Sequence, residues 1–199
     1  MINLLLIGYL PGGGRAETER AELGAACGQL ILFERGASHS QSFAKRFESK
    51  FTEGGGKVLL KESYDPALGD YSELLTAIRR KAPQVILVPG HYKEAKNIIL
   101  QARQLGINAP FLGGEGWDSP GLYDGSAKLQ GNYYASHFSP EDTAPEVVSF
   151  RKKYLETYDT TPGTMSALGY DGMQVIIAAF LDAKTTRAET LIKSLKKSS

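Results

Sequence analysis

Glu115 stands among glycines in the stretch FLGGEGWDSP (111–120), with Trp117 two positions on and Asp118 beside it. A carboxylate in such company suits an ammonium group. The charge strengthens the hydrogen bonds, an aromatic face adds cation–π attraction, and Gly113, Gly114 and Gly116 leave backbone N–H and C=O groups open to a small ligand. A second reading stands beside this one. Acidic residues favour helix N-termini for electrostatic reasons, so Glu115 can equally cap a helix starting near Ser119, with Trp117 packed beneath. The loop alone leaves both open.

Three histidines, His39, His91 and His137, are the other groups able to do chemistry. None has a close spacing such as H-x-x-x-H, so no metal site is expected. Ser38, His39 and Asp118 could supply a Ser-His-Asp set, but no G-x-S-x-G elbow presents the serine. The glycines of GYLPGGGRAETE (8–19) lack both G-x-G-x-x-G and the lysine of a phosphate loop, so no nucleotide cofactor is expected.

Elements able to position these residues recur along the chain. QLILF (29–33), KVLLKES (57–63), QVILVPG (84–90) and APFLGG (109–114) are apolar runs of strand length. Between them, SQSFAKRFESKFTE repeats Phe43, Ala44, Phe47 and Phe51 at helical spacing. DYSELLTAIRRKA opens with Asp70 three residues before Glu73, a capping-box-like start, and places Leu74, Leu75 and Ile78 on one face. YKEAKNIILQARQLG reaches a C-cap at Gly106. A strand–helix period of about thirty residues is the size of a βαβ unit. It predicts an α/β fold with a mainly parallel sheet and helices on both faces. After GNYYAS (131–136), longer helices are expected near 144–158 and 166–182, followed by a basic tail, IKSLKKSS, read as a frayed or solvated helix end.

In such sheets ligands bind beyond the carboxyl ends of the strands. The segments preceding strands, EGGGK, KAPQ and LGINAP, are plain turn chemistry. Those following strands, ERGASHS, SYDPALGD, VPGHYKE, GGEGWDSP and SHFSPED, carry all three histidines, the single tryptophan and Glu115. The expected site is therefore His39, His91, Tyr92, Glu115, Trp117, His137 and Phe138 on one rim.

Bulk properties narrow the partners. Twenty-three basic and 22 acidic residues in a chain of 199 give no field to recruit nucleic acid or a membrane surface. The lone cysteine, Cys27, excludes an internal disulfide. No apolar run approaches the roughly 20 residues that cross a bilayer, so no membrane insertion is expected. The start MINLLLIGYLPGGG has neither a basic n-region nor a small-residue cleavage site and reads as a short buried strand rather than a signal peptide.

Residues 55–122, from GGKVLLKESYDPALGD through VILVPGHYKEAKNIILQARQLG to FLGGEGWDSPGL, resemble the leucine/isoleucine/valine-binding protein family. These are extracytoplasmic solute receptors of ABC transporters with the type I periplasmic binding fold. GNYYASHFSPED and SALGYDGMQVIIAAFLDA extend the resemblance, which covers about residues 29–183. It implies a Rossmann-like three-layer lobe over 28–199, an incomplete version of the two-lobed fold, preceded by a poorly matched segment 1–27. It also implies that Glu115 grips a ligand's α-ammonium, with His91 and Tyr92 beside the ligand and His39 where relatives have tyrosine. The implied function is non-enzymatic binding of a small amino acid or amide, with a membrane permease as partner and a periplasmic or other extracytoplasmic location. Alternatives are a ligand-sensing regulatory module of the same fold and a metal-dependent hydrolase built on the histidines.

Overall fold

A computed structural model describes residues 5–8, 29–35, 38–119, 121–122 and 126–197, with side chains from Ser38 onward except that of His39. The glycine-rich stretch after Gly8, and Cys27, lie outside the described residues. The chain divides into two compact units, Met1–His137 and Phe138–Ser199.

Six strands form the first unit's sheet: β1 (Leu5–Gly8), β2 (Gln29–Arg35), β3 (Lys57–Tyr64), β4 (Val85–Leu87), β5 (Phe111–Gly113) and β6 (Tyr133–Ser136). Their order is β1-β6-β5-β4-β2-β3. Helices α1 (Ser38–Glu53), α2 (Ser72–Arg80) and α3 (Tyr92–Gln104) fill the intervals from β2 to β5. A helix-length connector carries the chain back to the edge it started from, so the next strand runs parallel. Every neighbouring pair from β3 to β6 is parallel. Only β1 runs antiparallel, against β6 at the sheet's edge.

Alternation along the central strands divides the core. Val85, Leu87 and Leu112 pack with Ala44 and Phe51 of α1. Ile86, Val88, Phe111 and Tyr134 pack with Leu75 and Ile78 of α2 and with Ala95, Ile98, Ile99 and Ala102 of α3. A strand covered on both faces needs apolar residues at successive positions, which is why QVILV reads as a continuous run. Helix α3 closes as expected: Gly106 has φ +76°, its N–H donates to Arg103 O, and Ile107 N–H donates to Ala102 O. Helix α2 starts differently from the capping box. Its N-cap is Tyr71, and Asp70 Oδ1 accepts from the Ser72 N–H (2.9 Å) and hydroxyl (2.6 Å). Those bonds hold the Asp70 carboxyl below its ordinary range.

Beyond the amino ends of β5 and β6, one buried amide ties the turns together. Asn132, fully buried, accepts from the Phe111 N–H (2.9 Å) and from Arg103 Nη2 (3.0 Å), and donates to Leu129 O (2.8 Å). Arg103 also donates to Ile107 O and Ala109 O, and its guanidinium lies over the Phe111 ring at 5.2 Å.

In the second unit, α4 (Pro145–Tyr158), α5 (Thr164–Ala183) and α6 (Ala188–Leu195) follow one another. Pro145 takes the first helical position of α4, where its missing N–H costs nothing. Phe150 of α4 gathers Phe138, Tyr154 and Tyr170 around it. Helix α5 corrects the expectation that nothing in the chain is long and apolar enough to span a bilayer. Its 20 residues average a hydropathy of 1.2 over the best 18-residue stretch, which passes that test by length and composition. Gly169 to Gly172 interrupt the apolar run without lowering the average enough. That stretch is only 17% buried, so α5 is no core helix, but a single helix passing by length and composition carries no membrane assignment.

Two outcomes follow from these contacts. Asn132→Ala leaves the Phe111 N–H and the Leu129 carbonyl without their buried partner, and should cost about 2–3 kcal/mol in urea unfolding; a loss below about 0.5 kcal/mol is what a surface position gives and would contradict the role. In the second unit, Asp182 accepts from the Ser194 hydroxyl (2.5 Å) with Lys197 at 3.7 Å, which together hold its carboxyl below the ordinary value. A depressed carboxyl stabilises the fold above its unfolded pKa, and that contribution disappears as pH falls through the folded one. The melting-temperature difference between the native chain and Asp182→Asn should therefore shrink on acidification; a difference that persists in acid would refute the assignment.

Candidate functional site

Parallel pairing sends the segments after β2, β4, β5 and β6 out of one edge of the sheet. The register across it runs Leu32–Leu87–Leu112–Tyr133. Just beyond that line lie the start of α1, the Val88–His91 turn, the loop after Gly113, and His137. His39 is the second residue of α1, and its side chain is outside the described residues. His91 is the N-cap residue of α3, extended and exposed. Tyr92 opens α3 half-buried, its ring so close to Gly121 that a Cβ there would lie 2.6 Å from it. His137 is exposed just after β6.

Glu115 begins a single 3-10 turn, Glu115–Trp117, and is half-buried. Gly114 O accepts from the Trp117 N–H, and Glu115 O from the Asp118 N–H, both at 3.0 Å. No helix begins at Ser119 among the described residues, so Glu115 heads the 3-10 turn rather than capping an α-helix. Trp117 requires a correction. Expected among the ligand-facing aromatics, it is 0% exposed and its indole lies on Gly113, where a Cβ would come within 2.1 Å of the ring. The glycine leaves a slot in the core that the largest side chain fills, so the indole offers no face to solvent. Phe138 belongs to the second unit, where it meets Phe150 edge-on with ring centroids 5.9 Å apart.

Several rim contacts carry no signal readable along the chain. Asp118 accepts hydrogen bonds from the Tyr134 hydroxyl (3.1 Å) and the Ser136 hydroxyl (3.2 Å), which turns its carboxylate toward β6 and away from the Ser-His-Asp set with Ser38. Tyr64 donates to Pro89 O (2.9 Å) and steadies the turn that leads to His91. Gly116 approaches Gly90 so closely that a Cβ would lie 2.3 Å from Gly90 O and 3.2 Å from His91 Nδ1. The Glu115 and His91 loops thus touch backbone to backbone. Beside the edge strand β3, an open depression of about 370 Å³ is lined by Glu62, Asp65, Asp70 and Glu73 together with Tyr64 and Tyr71, and by no basic residue. Two polar atoms near the α3 start and the 3-10 turn, Glu94 Oε2 and Trp117 Nε1, are buried without a hydrogen-bond partner among the described residues. No three of the described His, Cys, Asp and Glu residues are grouped to hold a metal ion.

Known proteins share this architecture. The sequence model of a family described as periplasmic binding protein matches residues 24–199. A leucine binding protein, LivK, from Thermotoga maritima is 29% identical and superposes with a TM-score of 0.80, over 87% of this chain and 50% of its own. The branched-chain amino acid transporter substrate binding protein LivJ from Streptococcus pneumoniae, in complex with isoleucine, is 25% identical with a TM-score of 0.78, over 86% of this chain and 49% of its own. The chain thus spans about half the length of these solved relatives. A 31% identical stretch of 112 residues also occurs in the DNA-dependent protein kinase catalytic subunit of Gallus gallus, 56% of this chain but 2% of that protein; so small a share carries no functional argument. With a family match across most of the chain and a parallel α/β sheet that superposes on solved members, the chain belongs to the periplasmic binding protein family, homologous to the solute-binding proteins of ABC transporters.

Proposed function

We propose that this chain binds a small amino acid or amide for an ABC transport system of the branched-chain type, acting by binding rather than by turnover. The observation that carries the reading is the placement of Glu115. The half-buried Glu115 heads a short turn at the strand-end rim, next to Gly116, whose backbone meets the His91 loop, and its carboxylate suits a ligand's ammonium by charge-assisted hydrogen bonding. Partial removal from water strengthens that attraction relative to an exposed pair. His91 and Tyr92 flank the same approach, and an imidazole can both stack and hydrogen-bond. The depression beside β3 carries four acids and no basic residue, so it offers no counter-charge for the ligand's carboxylate. Relatives about twice as long, one of them in complex with isoleucine, support an aliphatic amino acid as the ligand. The membrane partner is the permease of the transporter, and the site of action is extracytoplasmic.

Titration calorimetry, with NMR titration where binding is weak, should rank leucine and other aliphatic amino acids against small neutral amides. Glu115→Gln keeps the shape of the side chain but removes its charge, and should cost about 1.5–3 kcal/mol, roughly ten- to a hundredfold in affinity for an amino acid. An amino acid bound equally well by both forms would reduce Glu115 to a loop residue. Preference for a neutral amide over every amino acid would keep the receptor class and reject the amino acid.

A further inference from the structure

The contact between Gly116 and Gly90 has rigid walls on both sides. On one side, Gly90 has φ +134°, a backbone conformation that side-chain-bearing residues rarely adopt. The carbonyl before it, Pro89 O, is held by the Tyr64 hydroxyl, and α3 begins immediately after His91. On the other side, the 3-10 turn carrying Glu115 is closed by two backbone hydrogen bonds. Its far end is anchored by the buried indole on Gly113 and by the Asp118 carboxylate on Tyr134 and Ser136. The nearest obstacle to a Cβ at Gly116 is backbone, Gly90 O at 2.3 Å, rather than the end of a flexible side chain. Neither loop has room to retreat.

We infer that Gly90 and Gly116 form a paired-glycine clamp that fixes the Glu115 carboxylate against the His91 loop, making Gly116 a positioning residue that sets selectivity for ammonium-bearing ligands. The inference rests on the reading of Glu115 given above. A side chain at Gly116 must displace the turn, so Glu115 on one side moves relative to the His91 loop and the Trp117 indole on the other is loosened on Gly113. Charge-assisted hydrogen bonds are sensitive to distance and direction, so a small shift weakens the ammonium contact while apolar contacts to the rest of the ligand survive. Gly169 of α5 is the control. A Cβ there would meet nothing within 4 Å, and it lies in the second unit, outside the Glu115 loop.

The test compares Gly116→Ala, Gly169→Ala and the native chain by two readouts. The first is the ratio of affinities for leucine and for 4-methylpentanoate, the same skeleton without the amine. Gly116→Ala should lower that ratio about tenfold or more by weakening leucine selectively, and Gly169→Ala should leave it unchanged; a merely softened loop would weaken both ligands alike. The second needs no ligand. Trp117 is the only tryptophan in the chain and is fully buried, so acrylamide quenching of its fluorescence reports on the turn directly. Quenching should rise several-fold in Gly116→Ala with helix content unchanged, and not in Gly169→Ala. An unchanged ratio in Gly116→Ala, or equal effects of the two variants, would overturn the clamp. If the native chain shows no preference for leucine over its deaminated analogue, the Glu115 reading fails first, and unchanged quenching then overturns the clamp as well. Should Gly116→Ala not fold, Tyr64→Phe decides: freeing Pro89 O without adding volume should lower the ratio a few-fold, and no change would refute the inference.

Discussion

Parallel pairing of β2, β4, β5 and β6 is the constraint on which the rest of the first unit depends. Each three-residue strand in the middle of the sheet contributes few hydrogen bonds of its own, so their order is maintained by what covers them: α1 on one face, α2 and α3 on the other. That arrangement has a functional consequence built into its geometry. Every outgoing turn leaves by the same edge, and residues far apart in sequence become neighbours without any contact designed between them. The opposite edge is finished by a satisfied polar cluster around Asn132 and Arg103, which ties the turns together there.

The rim trades packing against exposure residue by residue. Trp117 is given up to the core, and the Gly113 slot it fills pins the turn that presents Glu115. Asp118, the nearer of two acids in the loop to β6, is spent on Tyr134 and Ser136. One acid thus anchors the loop while the other, Glu115, is half-buried on the turn. A loop whose every polar and aromatic group pointed at solvent would have no fixed geometry, and the cost of ordering it would fall on ligand binding. Anchoring one part of the turn lets the other arrive preorganised.

Much of this was legible along the chain. The strands followed from short apolar runs, and α1, α2 and α3 from their apolar faces, because burial on one side of a helix or on both sides of a strand imposes its own period. The C-cap at Gly106 was legible because a positive φ selects glycine. The rim followed from sorting loops by which end of a strand they leave. Less legible were features decided by approach in three dimensions. QVILVPG gave the position of β4, but its pairing stops at Leu87, where Pro89 and Gly90 turn the chain. Whether Trp117 faced in or out turned on the missing side chain of Gly113, and Gly116 against Gly90 is a contact between two absences of side chain, which no periodicity records. Asp70 and Glu73 matched a capping box in spacing, yet Asp70 bonds Ser72 one position earlier than the box requires. For α5, counting uninterrupted apolar residues missed what the helix average reveals.

The central claim is that a ligand's ammonium meets Glu115 on the rim formed by the ends of β4 and β5. Backbone amide NMR of the isotopically labelled chain, titrated with leucine, tests it most directly because it locates the contact without presuming its strength. The account predicts shift changes concentrated at Gly114–Trp117 and at Gly90–Tyr92, with Ile107 and Asn132 at the opposite edge unmoved. Shifts confined to the opposite edge or to α5, with Glu115 and His91 silent under saturating leucine, would contradict it.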